Sequence, residues 1–197
     1  MAAVPAWLRG RCRAMGARVM RPSLIETAGY PPQTVEKVER LLELLIEVDG
    51  HPYLAPRLRL HGGTALNVFH LSMPRLSVDA DLTYMGQVVL DEYEAERPIL
   101  EAAMAELGTR LGYRVTTSDK VEHSGRTYKL RYRYGDQNDL VKVDLIYLNR
   151  APLLPAETAV CSVCSPEVGV TTLALPELVA GKTKALFDRL AIRDLYD

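Results

Sequence analysis

Between Gln33 and Val48, apolar residues fall at Val35, Val38, Leu41, Leu42, Leu45 and Ile46, the three-and-four spacing that lines one side of a helix. Leu58 and Leu60 then alternate with arginines up to His61, Gly62, Gly63 and Thr64, followed by ALNVFHL. That order predicts a short strand, a glycine turn and a second helix. SVDADLTY alternates again and predicts a strand. From Pro98 to Leu111 the helical spacing returns, with Ile99, Ala102, Ala103, Leu107 and Leu111 as the buried side. Pro98 falls in the first turn, where its missing N–H costs nothing. Arg114–Ser118, Thr127–Tyr134 and Leu140–Leu148 predict strands, the last two joined through GDQND as an antiparallel hairpin. Pro176 opens a last helix whose buried stripe is Leu175, Leu178, Val179, Ala185 and Leu186. The stretch from Pro155 to Pro166 is the nearest thing to a boundary. Helices and strands interleave in the order of an α+β domain with a mixed sheet flanked by helices.

Composition narrows the function classes. A chain of 197 residues, 48% hydrophobic and 25% charged, has apolar content for one well-formed core. Twenty-four Lys and Arg against 25 Asp and Glu give a net charge of -1, which excludes holding nucleic acid by bulk charge, so any RNA partner has to meet a local basic patch. No apolar run approaches the roughly 18 residues of a spanning helix, and no membrane association is expected. Residues 1–22 carry Arg9, Arg11, Arg13, Arg18 and Arg21 with no acidic residue and no secretory apolar stretch. They are expected to be a loose basic arm before a domain over residues 23–197. Three cysteines without an export signal point to a reducing cytoplasm rather than a disulfide framework. Cys161 and Cys164 spell C-x-x-C, but no second pair completes a zinc site, and positions three apart in a strand face opposite ways.

In the SVDADLTY strand Ser77, Asp79, Asp81 and Thr83 share one face and Val78, Ala80, Leu82 and Tyr84 the other. Two carboxylates about 6.6 Å apart along a strand repel by about 2.5 kcal/mol at an effective dielectric near ~20. Either the pair lines the wet face of an edge strand, or a divalent cation between them, magnesium or manganese, removes that cost and leaves positions open for phosphate oxygens. Upstream, Gly62, Gly63 and Thr64 open a helix and let backbone N–H groups approach a phosphate. In LVKVDLIYL the alternation sets Asp144 opposite the apolar face, where it either completes a metal site and activates a hydroxyl or stands as a surface carboxylate. Lys182 falls inside the apolar stripe of the last helix, so its ammonium either meets an anion, a site carboxylate or a substrate phosphate, or snorkels outward along the stripe. In the hairpin, Lys129, Arg131 and Arg133 alternate with Tyr128, Leu130, Tyr132 and Tyr134. This basic face suits a triphosphate or an RNA backbone, or else simply faces solvent.

The run LHGGTALNVFHLSMPRLSVDADLTY, together with ELVAGKTKALFDRLAIRDLYD at the end, resembles the AbiEii family of nucleotidyltransferase toxins, which includes the MenT toxins. The resemblance runs from about Leu58 to the C-terminus through the GGT turn, S-x-D-x-D, K-x-x-A-L and R-D-x-x-D. It implies a polymerase-β-like nucleotidyltransferase fold and a toxin that moves a nucleotide from a nucleoside triphosphate to the 3' end of tRNA, blocking aminoacylation and translation in the cytoplasm. A cognate antitoxin is implied as partner. Position by position, Ser77 and Asp79 match the catalytic serine and aspartate, Asp81 the second metal ligand, Lys182 the motif lysine and Asp197 the final motif aspartate. Many relatives continue past R-D-x-x-D into a helical region, so the chain is expected to be a short member with little or no such extension. Two other readings compete: a nucleotidyltransferase with a small-molecule acceptor, and a catalytically silent protein that binds RNA or a partner protein.

Overall fold

Helix α1 spans Pro32–Asp49 and buries Val35, Val38, Leu41, Leu42, Leu44, Leu45 and Val48; of the expected stripe Ile46 is only partly buried, and Leu44 and Val48 join it. The computed structural model describes residues 29–71, 73, 75–119, 124–162 and 164–189. The basic arm and Asp197 lie outside the described residues. After α1 come β1 (Leu58–His61), a helical turn α2 (Gly62–Thr64) that runs directly into a π-helix (Ala65–His70), and β2 (Asp79–Tyr84). Helix α3 (Leu90–Arg110), β3 (Arg114–Asp119), β4 (Gly125–Tyr134), β5 (Gln137–Ile146), β6 (Glu157–Cys161), β7 (Val168–Thr172) and α4 (Leu175–Arg189) complete the order.

The seven strands form one sheet in the order β3-β4-β5-β2-β1-β7-β6. It is mixed: β2 pairs antiparallel with β1 but parallel with β5, and β1 pairs parallel with β7. Alternation along each strand sends Leu58, Leu60, Ala80, Leu82, Tyr84, Tyr128, Leu130, Val141, Val143 and Leu145 into a core shared with α1 and α3. The opposite face of β2, β4 and β5 is left for polar side chains.

Several expectations need correcting. Helix α3 begins eight residues before Pro98, which therefore sits inside it rather than in its first turn. Anchors in the preceding turns carry the helix through the proline: Tyr93 is buried, and Glu96 is gripped by Arg57 at 2.6 Å and by the Tyr84 hydroxyl. Its buried side is Leu100, Ala103, Met104 and Leu107, while Ile99 and Ala102 are exposed. The segment after Thr64 is a π-helix rather than an α-helix, its Leu71 N–H donating to Leu66 O at 2.9 Å. The hairpin turn is only Gly135 and Asp136, with Gly135 at φ +55. Gln137–Asp139, expected in the loop, belong to β5, because a two-residue turn with positive φ matches the twist of the paired strands.

Pro155 to Pro166 is no boundary, since it contains β6 and leads into β7 within the same sheet. Cys161 and Cys164 are joined in a disulfide rather than standing as free thiols. The opposed-faces argument fails because the strand ends at Cys161 and the chain turns there, Cys164 N–H reaching back to Cys161 O at 3.3 Å.

Asp139 ties the hairpin to α1. Its carboxylate accepts from Lys37 Nζ at 2.6 Å, Gln33 Nε2 at 3.0 Å, Tyr132 Oη at 3.2 Å and the Leu140 N–H at 2.7 Å. Burial raises its pKa, but the bonds from Lys37, Gln33 and Leu140 outweigh that and hold it below the ordinary carboxylate value. Its contribution to stability is therefore complete above the unfolded value near ~3.9 and is lost as pH falls through the lower folded value. Asp139→Ala is expected to cost about 2 kcal/mol at neutral pH, with a flattened acid limb in urea unfolding followed from pH 7 down to 3. An unchanged midpoint at pH 7 would show that the clamp contributes nothing.

Candidate active site

The glycine turn meets the aspartate strand because β1 and β2 are antiparallel neighbours with His61 opposite Asp81. The chain leaves β1 and turns sharply at Gly62, whose φ of +72 an L side chain rarely adopts. A Cβ there would lie 3.0 Å from Asp81 Cγ and closer still to Oδ2, so the missing side chain is what lets the Asp81 carboxylate lie against the turn. Asn67 Nδ2 donates back to Gly63 O at 2.9 Å. Thr64 shares a hydroxyl–hydroxyl bond of 2.7 Å with Ser77 and donates to the backbone carbonyl of Asp79. The turn and the start of β2 are thus bolted together through Thr64, a contact that its place in the turn does not foretell.

Asp79 is exposed and Asp81 half-buried on the polar face of β2, with Ala80, Leu82 and Tyr84 in the core behind them. Parallel pairing with β5 sets Asp79 beside Lys142 and Asp81 beside Asp144. Pairing of β5 with β4 sets Lys142 beside Lys129 and Asp144 beside Thr127. The face carrying Lys129, Arg131 and Arg133 is therefore the Asp144 face, since the apolar partners Tyr128–Val143 and Leu130–Val141 are buried together. Asp144 itself is engaged: Oδ1 accepts from Thr127 Oγ1 at 2.6 Å and Oδ2 from Lys142 Nζ at 2.9 Å. The hydrogen bond to Asp144 raises the Lys142 pKa most; burial opposes it, and the charges of Asp144, Asp79 and Asp81 add to the rise.

Among the described residues no trio of His, Cys, Asp and Glu stands together as a ready metal cluster. The hard oxygen donors of Asp79 and Asp81 nonetheless suit a divalent ion, and the field they raise at Lys142 favours cations. Asp144 would first have to be released by Lys142.

Lys182 lies in α4, which packs against α2 and the π-helix. It is half-buried on the side shared by Leu178, Ala185 and Leu186. Leu175 and Val179, expected in the buried stripe, are exposed at 39% and 49%, because only the side toward the short helical segment is covered. Lys184 points outward to Asp188.

Two participants escaped sequence reasoning. Lys142 sits two positions before Asp144 on the same face, and only the strand register shows what it faces. Arg114 pairs with Arg131 across β3 and β4 and lines an open groove with Arg131, Arg133 and Asn138. Several other cations are matched by carboxylates, as in Arg40–Glu36, Arg57–Glu96, Arg97–Glu101 and Arg126–Glu101. Arg114, Lys129, Arg131 and Arg133 have no such match among the described residues. They form a basic track that runs across the sheet from its β3 edge toward Asp79.

The family model described as Nucleotidyl transferase AbiEii toxin, Type IV TA system, matches residues 44–197. Two solved structures are similar, both with a TM-score of 0.56 and 18% identity over 85% of the chain: JHP933 from Helicobacter pylori, and a candidate nucleotidyltransferase from H. pylori. The chain covers 65% and 67% of them, so it spans about two thirds of the length of these solved relatives. At that identity they speak for the fold alone, a mixed sheet flanked by helices of the polymerase-β-like type. No curated protein matches the chain. No described helix is long and apolar enough to cross a membrane.

Proposed function

The chain belongs to the AbiEii nucleotidyl transferase toxin family, and from that membership and the site's layout we propose that it transfers a nucleotide from a nucleoside triphosphate to the 3' end of tRNA. The observation that carries this reading is the shared sheet face, on which the Asp79–Asp81 pair is continuous with a track of unmatched cations. A site for small acceptors needs no such track, whereas an RNA backbone does.

Asp79 and Asp81 would hold a divalent ion, magnesium or manganese, which when bound neutralises charge on the phosphates. Gly62, Gly63 and Thr64 offer backbone N–H groups to the triphosphate, and Ser77 is kept at its edge by Thr64. Lys182 supplies a positive charge from the helix packed behind that turn. Asp144, once freed, would accept the proton of the attacking 3'-hydroxyl, a role supported by its register beside Asp81. The hydroxyl oxygen forms a bond to the α-phosphorus, and the bond to pyrophosphate breaks. The attacking 3'-hydroxyl is the one that takes an amino acid; once it is tied up in the new phosphodiester, the extended end no longer fits aminoacylation and translation stops in the cytoplasm. The Type IV toxin–antitoxin family implies an antitoxin partner.

The test is incubation of purified protein with magnesium, bulk tRNA and each α-labelled nucleoside triphosphate in turn. Label on tRNA is expected with at least one nucleotide. Label on none would overturn the tRNA reading and direct the search to small-molecule acceptors. Arg114→Ala combined with Arg131→Ala is expected to weaken tRNA binding about tenfold and to reduce the slope of log affinity against log salt by about 2, one per lost phosphate contact. Gel-shift titrations at several salt concentrations read both quantities. An unaltered slope would place the RNA elsewhere.

A further inference from the structure

Lys142 differs from the cations of the basic track because its ammonium turns inward to Asp144. Both oxygens of Asp144 are thereby occupied, one by this ammonium and the other by the Thr127 hydroxyl. The register places Lys142 beside Asp79 and Asp144 beside Asp81, and the ammonium that binds Asp144 also feels the charges of Asp79 and Asp81. Its hold on Asp144 is one ion pair at the end of an unbranched stem, with the side chain 38% exposed. Arg97 and Arg126, by contrast, are each fixed by more than one acidic or aromatic partner.

Resting on the transfer reading above, we propose that Lys142 is a built-in counter-cation: it occupies Asp144 until a divalent ion and a nucleoside triphosphate arrive together, and its ammonium then passes from Asp144 to the triphosphate. A divalent ion arriving alone meets a like charge already seated among its ligands. When it arrives with a triphosphate, the displaced ammonium gains a new anion on the same sheet face. Ion and triphosphate therefore assist each other's binding, and the assistance is reciprocal in free energy. Lys142 acts on the ion through Asp144 and is in that respect a positioning residue.

The measurement is titration of the full chain with Mn2+, followed by the electron paramagnetic resonance signal of the free ion. It is made without nucleotide and then with α,β-methylene analogues of the four nucleoside triphosphates. Wild-type protein is expected to bind Mn2+ weakly alone and much more tightly with an analogue. Lys142→Met, which removes the charge and keeps the stem, is expected to bind Mn2+ alone about tenfold or more tighter than wild type, with the analogue's added effect reduced in proportion. Lys142→Arg is expected to behave as wild type. Mn2+ affinity in Lys142→Met equal to or below that of wild type overturns the proposal. Should Lys142→Met fail to fold, Lys142→Gln and Lys142→Arg are compared, and equal affinities overturn it. No acceptor or turnover enters the titration. A protein that labels no tRNA yet shows these shifts loses the tRNA reading and keeps the role of Lys142; one that labels tRNA without the shifts loses only the latter.

Discussion

Asp79→Ala is expected to abolish labelling of tRNA, by a factor of about a thousand or more, and with it any growth arrest that follows expression of the wild-type chain. Asp79 is exposed at the start of β2, and its side chain carries no part of the core. Its removal also relieves repulsion from Asp81. The melting temperature is therefore expected to stay within about 3 °C of wild type, since exposed substitutions away from packing and caps are worth about half a kcal/mol. Loss of transfer at constant fold, read by the labelling assay and by circular dichroism on the same preparation, separates the enzyme from a silent binding protein. Growth arrest that survives in Asp79→Ala would mean the chain acts by sequestration.

Gly62→Ala is the second large effect, and it arises from geometry rather than chemistry. Two costs coincide there: an L residue forced to φ +72, about 1 kcal/mol, and a methyl group 3.0 Å from Asp81 Cγ. Either the turn opens or the carboxylate moves, and a displacement near 1 Å is worth about a hundredfold in rate. Transfer is expected to fall by about that factor, with stability down by about 1–2 kcal/mol. Gly181→Ala is the control, for a Cβ at Gly181 in α4 meets nothing within 4 Å. There the change should leave activity alone and stabilise by up to about 1 kcal/mol. Full activity in Gly62→Ala would show that the turn does not hold Asp81.

What could be read from the chain was whatever repeats with a period. The stripe of α1, the two faces of β2 and the alternation of β4 were legible because burial enforces them residue by residue. From that alternation alone it followed that Asp79, Asp81 and Asp144 share their faces with polar partners. Register was not legible. That Lys142 stands beside Asp79, that Thr127 holds Asp144 and that Arg114 meets Arg131 depends on pairings between strands separated along the chain. Nor was the tail of the sheet visible: β6 and β7 are five residues each, and prolines on either side of β6 gave the stretch the look of a linker. Pro98 misled for a related reason. A proline's local preference for a helix start was overridden by tertiary anchors in the turns before it, Tyr93 and Glu96.

The position of β2 between an antiparallel neighbour and a parallel one also sets the order in which the protein becomes active during synthesis. The β4–β5 hairpin closes through a two-residue turn and can form as soon as it emerges. The pairing of Asp81 with Asp144 joins residues 63 apart in the chain, and that of Leu60 with Thr172 joins residues 112 apart. Such long closures are slow and come late. A ribosome translating this message therefore carries an incomplete catalytic face until strand β5, and after it β7, has cleared the exit tunnel. Until then Asp79 and Asp81 lack the neighbours that β5 supplies, and any activity of this face waits on those late closures.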